Sequence, residues 1–284
     1  MPDKFPYAIP RTYTPKAALI TDYPNDVTGC KNIVIVHASM QGNSAEPLLG
    51  AISEEKKLDG YKLRGLATVV PDTVTDDELN HLYAAGVRGA RLHRMAWEAK
   101  SRPSSEPLIK EVDALAKRLS QDSRHEWIVD VFCDFRTWVD LAPTVRAYPK
   151  IKFVADHFGG TFPGEEKLEE FGKFLDLVKE KRLWVKLSGF ERLYNGIPEG
   201  IDSLTPLAKA IIEAGPTQII FGSDWPHTQL GKGRTGMTEK QRLETVEGFR
   251  EVPNAAHIQK LREWITDDTT WQKFWVENPS LLFA

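Results

Sequence analysis

The sequence predicts an α/β fold, a TIM-type (β/α)8 barrel from which the first strand is missing. Short apolar runs alternate with stretches of helical periodicity, which is typical of right-handed βαβ crossovers and a parallel sheet. The apolar runs show little polar alternation, as expected for strands buried on both faces. The length of 284 residues fits one barrel of about 250 residues. We therefore predict a single domain over residues 1–284.

Seven segments have the composition of buried strands. In chain order they cover residues 32–37, 63–70, 87–93, 127–132, 152–157, 183–188 and 218–223. A closed barrel of this type has eight strands, and the one that is lacking is the first. We therefore expect an open or distorted barrel with apolar edges at 32–36 and 219–223. We also expect that the complete folding unit is longer than this chain.

Helical patterns lie between the strands. Thr75 and Glu78 have the spacing of a capping box, which predicts a helix that ends at Gly86. Apolar residues recur at three- and four-residue steps over 108–119 and 168–178 and predict two further helices. The first 24 residues have proline at positions 2, 6, 10, 15 and 24, so residues 1–24 are predicted to form an extended segment on the surface.

The composition excludes several classes of partner. The net charge is −3 and no basic block occurs, which argues against nucleic acid and anionic membranes. No apolar run reaches the length of a membrane span, so we expect a cytoplasmic protein that acts on a small molecule, and the oligomeric state stays open. The two cysteines, Cys30 and Cys133, are predicted to be reduced.

The glycine-rich segment 231–236 follows the last strand. It lacks the spacing of a phosphate-binding loop, so we interpret it as a mobile flap rather than a phosphate cradle. Together with Trp97 and Trp225 it is expected to shape a pocket.

Charged and polar side chains follow the strands at their carboxyl ends. In a parallel barrel these ends share one rim, where a carboxylate such as Asp224 can act as a general base or a metal ligand. Clustered arginines at this rim suit carboxylate recognition because a guanidinium binds a carboxylate in bidentate fashion. The candidates are Arg91, His93, Arg94, Asp156, His157, Ser188, Glu191, Arg192, Asp224 and His227.

Several of these candidates also have a purely structural interpretation. Asp224 and His157 could each cap the turn that follows them. Arg192 could pair with Glu191 on the surface, and Arg91 could belong to a structural ion pair. The occurrence of all of them at one rim favours a functional site.

Six motifs resemble those of one family. They are F-G-S-D-W-P-H at 221–227, F-P-Y-A-x-P-R-T-Y-T-P at 5–15, G-V-R-G-A-R at 86–91, V-A-D-H-F-G at 154–159, V-K-L-S-G-F-E-R-L at 185–193 and E-N-P-S-L-L-F at 277–283. In order and spacing they resemble the amidohydrolase superfamily, in the branch that contains the pyrone and sugar lactonases. The resemblance covers nearly the whole chain.

The resemblance implies roles for individual residues. Asp224 would be the base that activates water, and His157 would lie near the carbonyl oxygen. Arg91 and Arg192, with Tyr13, would hold a substrate carboxylate. From their positions at the strand ends, His93, Arg94, Ser188 and His227 are further substrate-binding candidates.

Two departures from the family pattern bear on substrate and cofactor. A tyrosine of the dicarboxylate lactonases falls near Asp130, which argues against the same substrate. The first-strand H-x-H pair has no counterpart, so we expect no tightly bound metal, since a catalytic zinc usually has three or more protein ligands. A weakly bound divalent ion at Asp224 and His157 stays open.

Three functions remain under consideration. The first is a hydrolase that opens a lactone or related ester of a small carboxylated molecule through Asp-activated water. The second is a non-catalytic or degenerate homologue that binds a small carboxylate. The third is a decarboxylase of the same superfamily, which is disfavoured because such sites use a histidine on the strand where Asp130 lies.

Overall fold

The computed structural model describes residues 7, 11–23, 29–94 and 104–284. Residues 5, 6 and 8–10 of the motif at 5–15, part of the predicted extended segment and Trp97 lie outside these residues. No helix in the described ranges combines the length and the apolar character needed to cross a membrane.

Seven parallel strands form the central sheet, and they pair in sequence order. The strands are β1 (Asn32–Val36), β2 (Lys62–Ala67), β3 (Val87–His93), β4 (Ile128–Phe132), β5 (Lys152–Ala155), β6 (Leu183–Leu187) and β7 (Ile219–Phe221). Within the described ranges β1 pairs only with β2, and β7 only with β6. The sheet is thus a curled, open part of a barrel, as predicted.

Helices connect the strands and cover the outer face of the sheet. They are α1 (Glu46–Ile52), α2 (Asp76–Ala84), α3 (Glu106–Ser120), α4 (Phe135–Ala147), α5 (Glu169–Lys179), α6 (Phe190–Leu193), α7 (Thr205–Ala214), α8 (Glu239–Glu244), α9 (Asn254–Trp264), α10 (Asp268–Gln272) and α11 (Asn278–Phe283). The three helices predicted from periodicity correspond to α2, α3 and α5.

The capping box at the start of α2 is confirmed. The backbone N–H of Glu78 donates to Thr75 Oγ1 at 3.2 Å, and the Thr75 N–H donates to Glu78 Oε2 at 2.7 Å. Gly86 follows the helix with φ 102°, a conformation that glycine adopts without strain.

The two faces of the sheet have different cores. Outward residues such as Ile33, Val129 and Val185 belong to the main core, which the covering helices share. The inward residues form a smaller cluster together with Leu282 of α11: Leu66, Ile128, Val154, Trp184 and Ile220. Apolar side chains therefore fill one layer inside the curled sheet.

The N-terminal segment crosses the loop that follows β7. Residues Thr14–Pro15 pair in parallel with Val246–Glu247 over two residues. Tyr23 packs edge-on against Trp225, with 5.4 Å between ring centroids. Within the described part of the segment, Thr14–Pro15 form a short strand and Ile20–Asp22 a turn of 3₁₀ helix, and Tyr23 contacts the residue next to Asp224.

Candidate active site

Asp224 and His157 both have a left-handed backbone conformation. Asp224 follows β7 with φ 58°, and His157 follows β5 with φ 51°. Such a conformation costs on the order of 1–3 kcal/mol for a residue other than glycine and is concentrated at functional sites. These two positions are therefore the strongest functional candidates on the rim.

The two carboxylate oxygens of Asp224 have different surroundings. Oδ2 accepts a hydrogen bond from Arg192 Nε at 2.8 Å, whereas Oδ1 lies 3.8 Å from His157 Nε2. Burial alone would raise the pKa of Asp224, but the nearby imidazole of His157 and the charge and hydrogen bond of Arg192 outweigh it, so the pKa is lowered. Asp224 is consequently a carboxylate at neutral pH.

His157 is held by Ser188 and by the space that Gly189 leaves. Its Nδ1 lies 2.8 Å from Ser188 Oγ, and a Cβ on Gly189 would lie 2.7 Å from that nitrogen. Burial lowers the pKa of His157, although Asp224 and Asp156 oppose this effect, so the ring is neutral near pH 7. The side chain makes no capping hydrogen bond to the turn that follows, so the structural interpretation of His157 is wrong.

Ser188, His157 and Asp224 do not form a nucleophilic triad. Ser188 is 1% exposed, which hides its hydroxyl from a substrate, and the 3.8 Å between His157 Nε2 and Asp224 Oδ1 exceeds a hydrogen bond. Ser188 instead fixes the orientation of the imidazole.

Arg192 is a buried rim residue rather than a surface one. Its side chain is 11% exposed, and its Nη2 donates to Thr228 Oγ1 at 3.1 Å. Arg192 Nε lies 2.8 Å from Asp224 but 4.0 Å from Glu191. The surface location considered for Arg192 is therefore wrong, and its contact with Glu191 is the longer one, since Glu191 accepts from Arg250 Nη2 at 2.7 Å.

Four charged side chains from neighbouring strands meet inside the curled sheet, and we call Arg91, Asp130, Asp156 and Lys186 the interior ion group. Lys186 Nζ donates to Asp130 Oδ2 at 2.8 Å and also contacts Asp156 Oδ1 closely. Arg91 lies 3.2 Å from Asp156 Oδ2 and 3.6 Å from Asp130 Oδ1. The structural ion pair considered for Arg91 is therefore present.

The two carboxylates of this group differ in proton affinity. Burial and the neighbouring charge of Asp156 raise the pKa of Asp130 to about 7, although Lys186 and Arg91 oppose the increase. Burial also acts to raise the pKa of Asp156, but Lys186 and Arg91 hold it well below its usual value. A proton taken up by the group therefore resides on Asp130.

The remaining predicted site residues are spread over a wider area. His93 packs 5.3 Å from the Phe132 ring, and burial followed by the charge of Arg91 lowers its pKa to about 4. His227 Nε2 lies 3.0 Å from Asn254 Nδ2, and its Nδ1 lies 4.0 Å from Glu191. Both imidazoles lie near the charged rim residues.

Tyr13 and Arg94 have partners outside the Asp224–His157 pair. The Tyr13 ring lies under the guanidinium of Arg234 at 3.7 Å. Arg94 is about half exposed and binds Glu111 of α3 at 2.8 Å, so its expected place in the site is not supported. An arginine directly after a strand can turn outward to a helix, which the sequence pattern does not reveal.

Arg234 also bears on the glycine-rich segment. It binds Glu247 with both Nε and Nη2 at 2.7 Å. The segment, interpreted from sequence as a mobile flap, is thus tied to the short strand pair that carries Glu247.

Sequence reasoning missed Lys186, Arg250 and Thr228. A lysine in the otherwise apolar strand β6 was a usable signal, because a buried lysine requires a carboxylate partner. Arg250 and Thr228 gave no signal, since both lie in irregular segments after β7.

The residues present fit a divalent metal poorly. Donor atoms of Glu191, Asp224 and His227 lie within 4.8 Å of one another. Yet guanidinium groups already bind both carboxylates, from Arg250 and from Arg192. The pair His157 and Asp224 supplies only two ligands, fewer than the three typical of a catalytic zinc.

Residues 2–256 match the family model Amidohydro_2, described as amidohydrolase, so the chain belongs to the amidohydrolase family. The family resemblance expected from the motifs is thereby confirmed. The 2-pyrone-4,6-dicarboxylate hydrolase of Comamonas testosteroni is 28% identical over 290 residues, covering 97% of this chain and 87% of the relative. The 4-sulfomuconolactone hydrolase of Rhizobium radiobacter is 28% identical over 287 residues, covering 99% of this chain and 85% of the relative.

A solved structure shows the same fold. A probable 2-pyrone-4,6-dicarboxylic acid hydrolase from Acinetobacter baumannii, with citric acid bound, superposes with a TM-score of 0.69 at 25% identity. The match covers 99% of this chain and 94% of that chain. The fold class predicted from the sequence is therefore confirmed.

Proposed function

We propose that the protein is a hydrolase that opens a lactone, a cyclic ester, and that Asp224 is the base that activates water. The observation that carries this proposal is the pairing at the rim of an ionised Asp224 with a neutral His157. The names of the relatives, which are lactone hydrolases, support the same reaction class.

Arg192 prepares Asp224 for this role. By binding Oδ2, it orients the carboxylate and leaves Oδ1 on the side of His157. Asp224 Oδ1 would take a proton from water as the water oxygen attacks the lactone carbonyl carbon. A positioned general base contributes typically about 10²–10⁴-fold to the rate.

His157 supplies a hydrogen bond to the carbonyl oxygen in this mechanism. When the Ser188 hydroxyl donates to Nδ1, the neutral ring carries its proton on Nε2, beside Asp224 Oδ1. That N–H stabilises the negative charge that develops on the carbonyl oxygen. The bond from the carbonyl carbon to the ring oxygen then breaks, and protonated Asp224 returns its proton to that oxygen, which becomes the hydroxyl group of the product. The new carboxylic acid loses a proton to solvent and becomes a carboxylate.

We further propose that this reaction proceeds without a metal ion. The support is the engagement of the Asp224 and Glu191 carboxylates by arginines. Dialysis against a chelator should leave the hydrolysis rate unchanged. Loss of the rate on chelation and its recovery with a divalent ion would refute this part of the proposal.

The test of the base is the change Asp224→Asn. The amide cannot take a proton from water, so turnover should be lost while substrate affinity stays within a few-fold. Glu180→Gln is the matched control, since Glu180 also binds an arginine, Arg146 at 2.7 Å, but on the exposed surface. A variant that keeps more than about a tenth of wild-type turnover would contradict this role. If the wild type opens no lactone, the non-catalytic alternative replaces the proposal.

A further inference from the structure

The interior ion group is balanced in charge. It contains the two cations Arg91 and Lys186 and the two carboxylates Asp130 and Asp156, each side chain at most 13% exposed. Both carboxylates contact both cations. With Asp130 ionised, the group as a whole offers no net positive charge to a ligand.

This balance limits what Arg91 can bind. The guanidinium of Arg91 already has Asp130 at 3.6 Å and Asp156 at 3.2 Å. A ligand carboxylate that approached this guanidinium would therefore come close to both of these carboxylates. Like charges in a buried site repel strongly, and replacing one partner would leave a carboxylate buried without its cation. Arg91 is thus occupied as a structural cation, whatever its sequence position suggests.

Arg192 has a different position. It stands at the rim beside Asp224, whose side chain is 22% exposed. Arg192 pairs closely with one carboxylate, Asp224 at 2.8 Å, whereas Arg91 pairs with two, so a substrate carboxylate meets less repulsion at Arg192. Among the described residues, Arg192 is therefore the rim cation to which a substrate carboxylate is assigned, and the interior ion group offers no uncompensated cation.

We propose that Asp130 determines substrate specificity: by balancing the interior cations it excludes a second carboxylate, so that the substrate is a lactone with at most one carboxylate. This inference rests on the proposed lactone hydrolysis. The proposed substrate differs from the one in the name of the Comamonas testosteroni relative, which is a dicarboxylate.

The pH adds an independent check on this assignment. Burial and Asp156 raise the pKa of Asp130 to about 7, and the other charged groups that face it are Lys186 and Arg91. Below that pH the proton on Asp130 leaves the interior with one net positive charge. Discrimination against a second carboxylate should therefore be stronger at pH 8.5 than at pH 6.

The experiment compares lactones that differ only in carboxylates: 2-pyrone, 2-pyrone-6-carboxylate and 2-pyrone-4,6-dicarboxylate. At pH 8.5 the wild type should show a kcat/KM for the monocarboxylate at least about tenfold above that for the dicarboxylate. Asp130→Asn keeps the shape but frees one positive charge, so it should reduce this ratio by about tenfold or more. A wild type that prefers the dicarboxylate, or a ratio that Asp130→Asn leaves unchanged, would overturn the proposal.

Two control variants separate charge balance from other effects. Glu111→Gln makes the same charge change on the exposed partner of Arg94 and should not alter the ratio. Asp130→Asn combined with Lys186→Met restores a balanced interior and should keep the wild-type preference. If the double variant shows the same kcat/KM ratio between monocarboxylate and dicarboxylate as Asp130→Asn alone, charge balance is not the cause of the specificity.

Binding measurements distinguish failure of this inference from failure of the proposed function. If no pyrone is hydrolysed, lactone hydrolysis fails as the function. Calorimetric titration of the same three pyrones into the wild type at pH 8.5 then tests the inference alone. Tighter binding of the dicarboxylate than of the monocarboxylate would refute it, and the reverse order would support it.

Discussion

Lys186→Met should destabilise the protein strongly, because it removes the cation that both interior carboxylates share. Lys186 Nζ lies 2.8 Å from Asp130 Oδ2 and contacts Asp156 closely, and the side chain is 11% exposed. Without it, the two buried carboxylates have Arg91 as their remaining cation. Removing one partner from a buried ion network costs about 3–5 kcal/mol.

The magnitude can be checked by thermal unfolding followed by tryptophan fluorescence. For a chain of this size about 1 kcal/mol corresponds to roughly 2–4 °C in Tm, so Lys186→Met should lower Tm by roughly 6–20 °C at pH 8.5. The loss should be smaller at pH 6, since protonation of Asp130 removes one of the uncompensated charges.

A double-mutant cycle isolates the interaction. Lys186→Met combined with Asp130→Asn leaves Arg91 paired with Asp156 alone, at 3.2 Å, and should recover much of the lost Tm. Lys173→Met, which removes the exposed partner of Glu169, serves as the control for loss of a lysine ion pair. A Tm for Lys186→Met within about 2 °C of wild type would refute the reasoning, as would a double variant less stable than either single one.

Two further predictions follow from the contacts of Arg192 and His257. Arg192→Lys keeps the charge but cannot bridge Asp224 and Thr228. The loss of transition-state stabilisation, calculated from kcat/KM in steady-state assays, should be roughly 1–3 kcal/mol. Unchanged kinetics would exclude this role. Burial lowers the pKa of His257 to about 4, below its unfolded value near 6.5, so its stabilising contribution is complete above pH 6.5 and is lost as pH falls towards 4. The unfolding free energy of the wild type should decrease between pH 7 and pH 4.5. In His257→Gln this decrease, measured in denaturant titrations, should be smaller by about 2–3 kcal/mol. An unchanged pH dependence would contradict the lowered pKa of His257.

The sequence predicted the strands well because their signal is local. Segments such as Ile219–Phe221 are apolar on both faces, and this pattern identifies a buried parallel strand without knowledge of its neighbours. The predicted second strand, 63–70, extended three residues beyond the observed end at Ala67. Local composition does not reveal where the hydrogen-bonded ladder to the next strand stops.

The candidate site was predicted in part. Motif positions placed His157, Ser188, Arg192 and Asp224 near one another, and the structure joins these four through direct contacts or the 3.8 Å approach of His157 to Asp224. The same reasoning assigned Arg94 to the site, whereas its side chain binds Glu111 on the outside. Position after a strand fixes the end of the barrel but not the direction of a long side chain.

The sequence by itself determined the fold class, the order of the strands and the rim on which Asp224 and His157 lie. Only the tertiary structure decided which charges pair, since Arg91, Asp130, Asp156 and Lys186 come from four different strands. Strand periodicity is a local property, but an ion pair depends on the register and curvature of the whole sheet. For that reason Arg91 looked like a carboxylate clamp in the sequence, whereas in the fold it pairs with Asp130 and Asp156, and Arg192 is held beside Asp224.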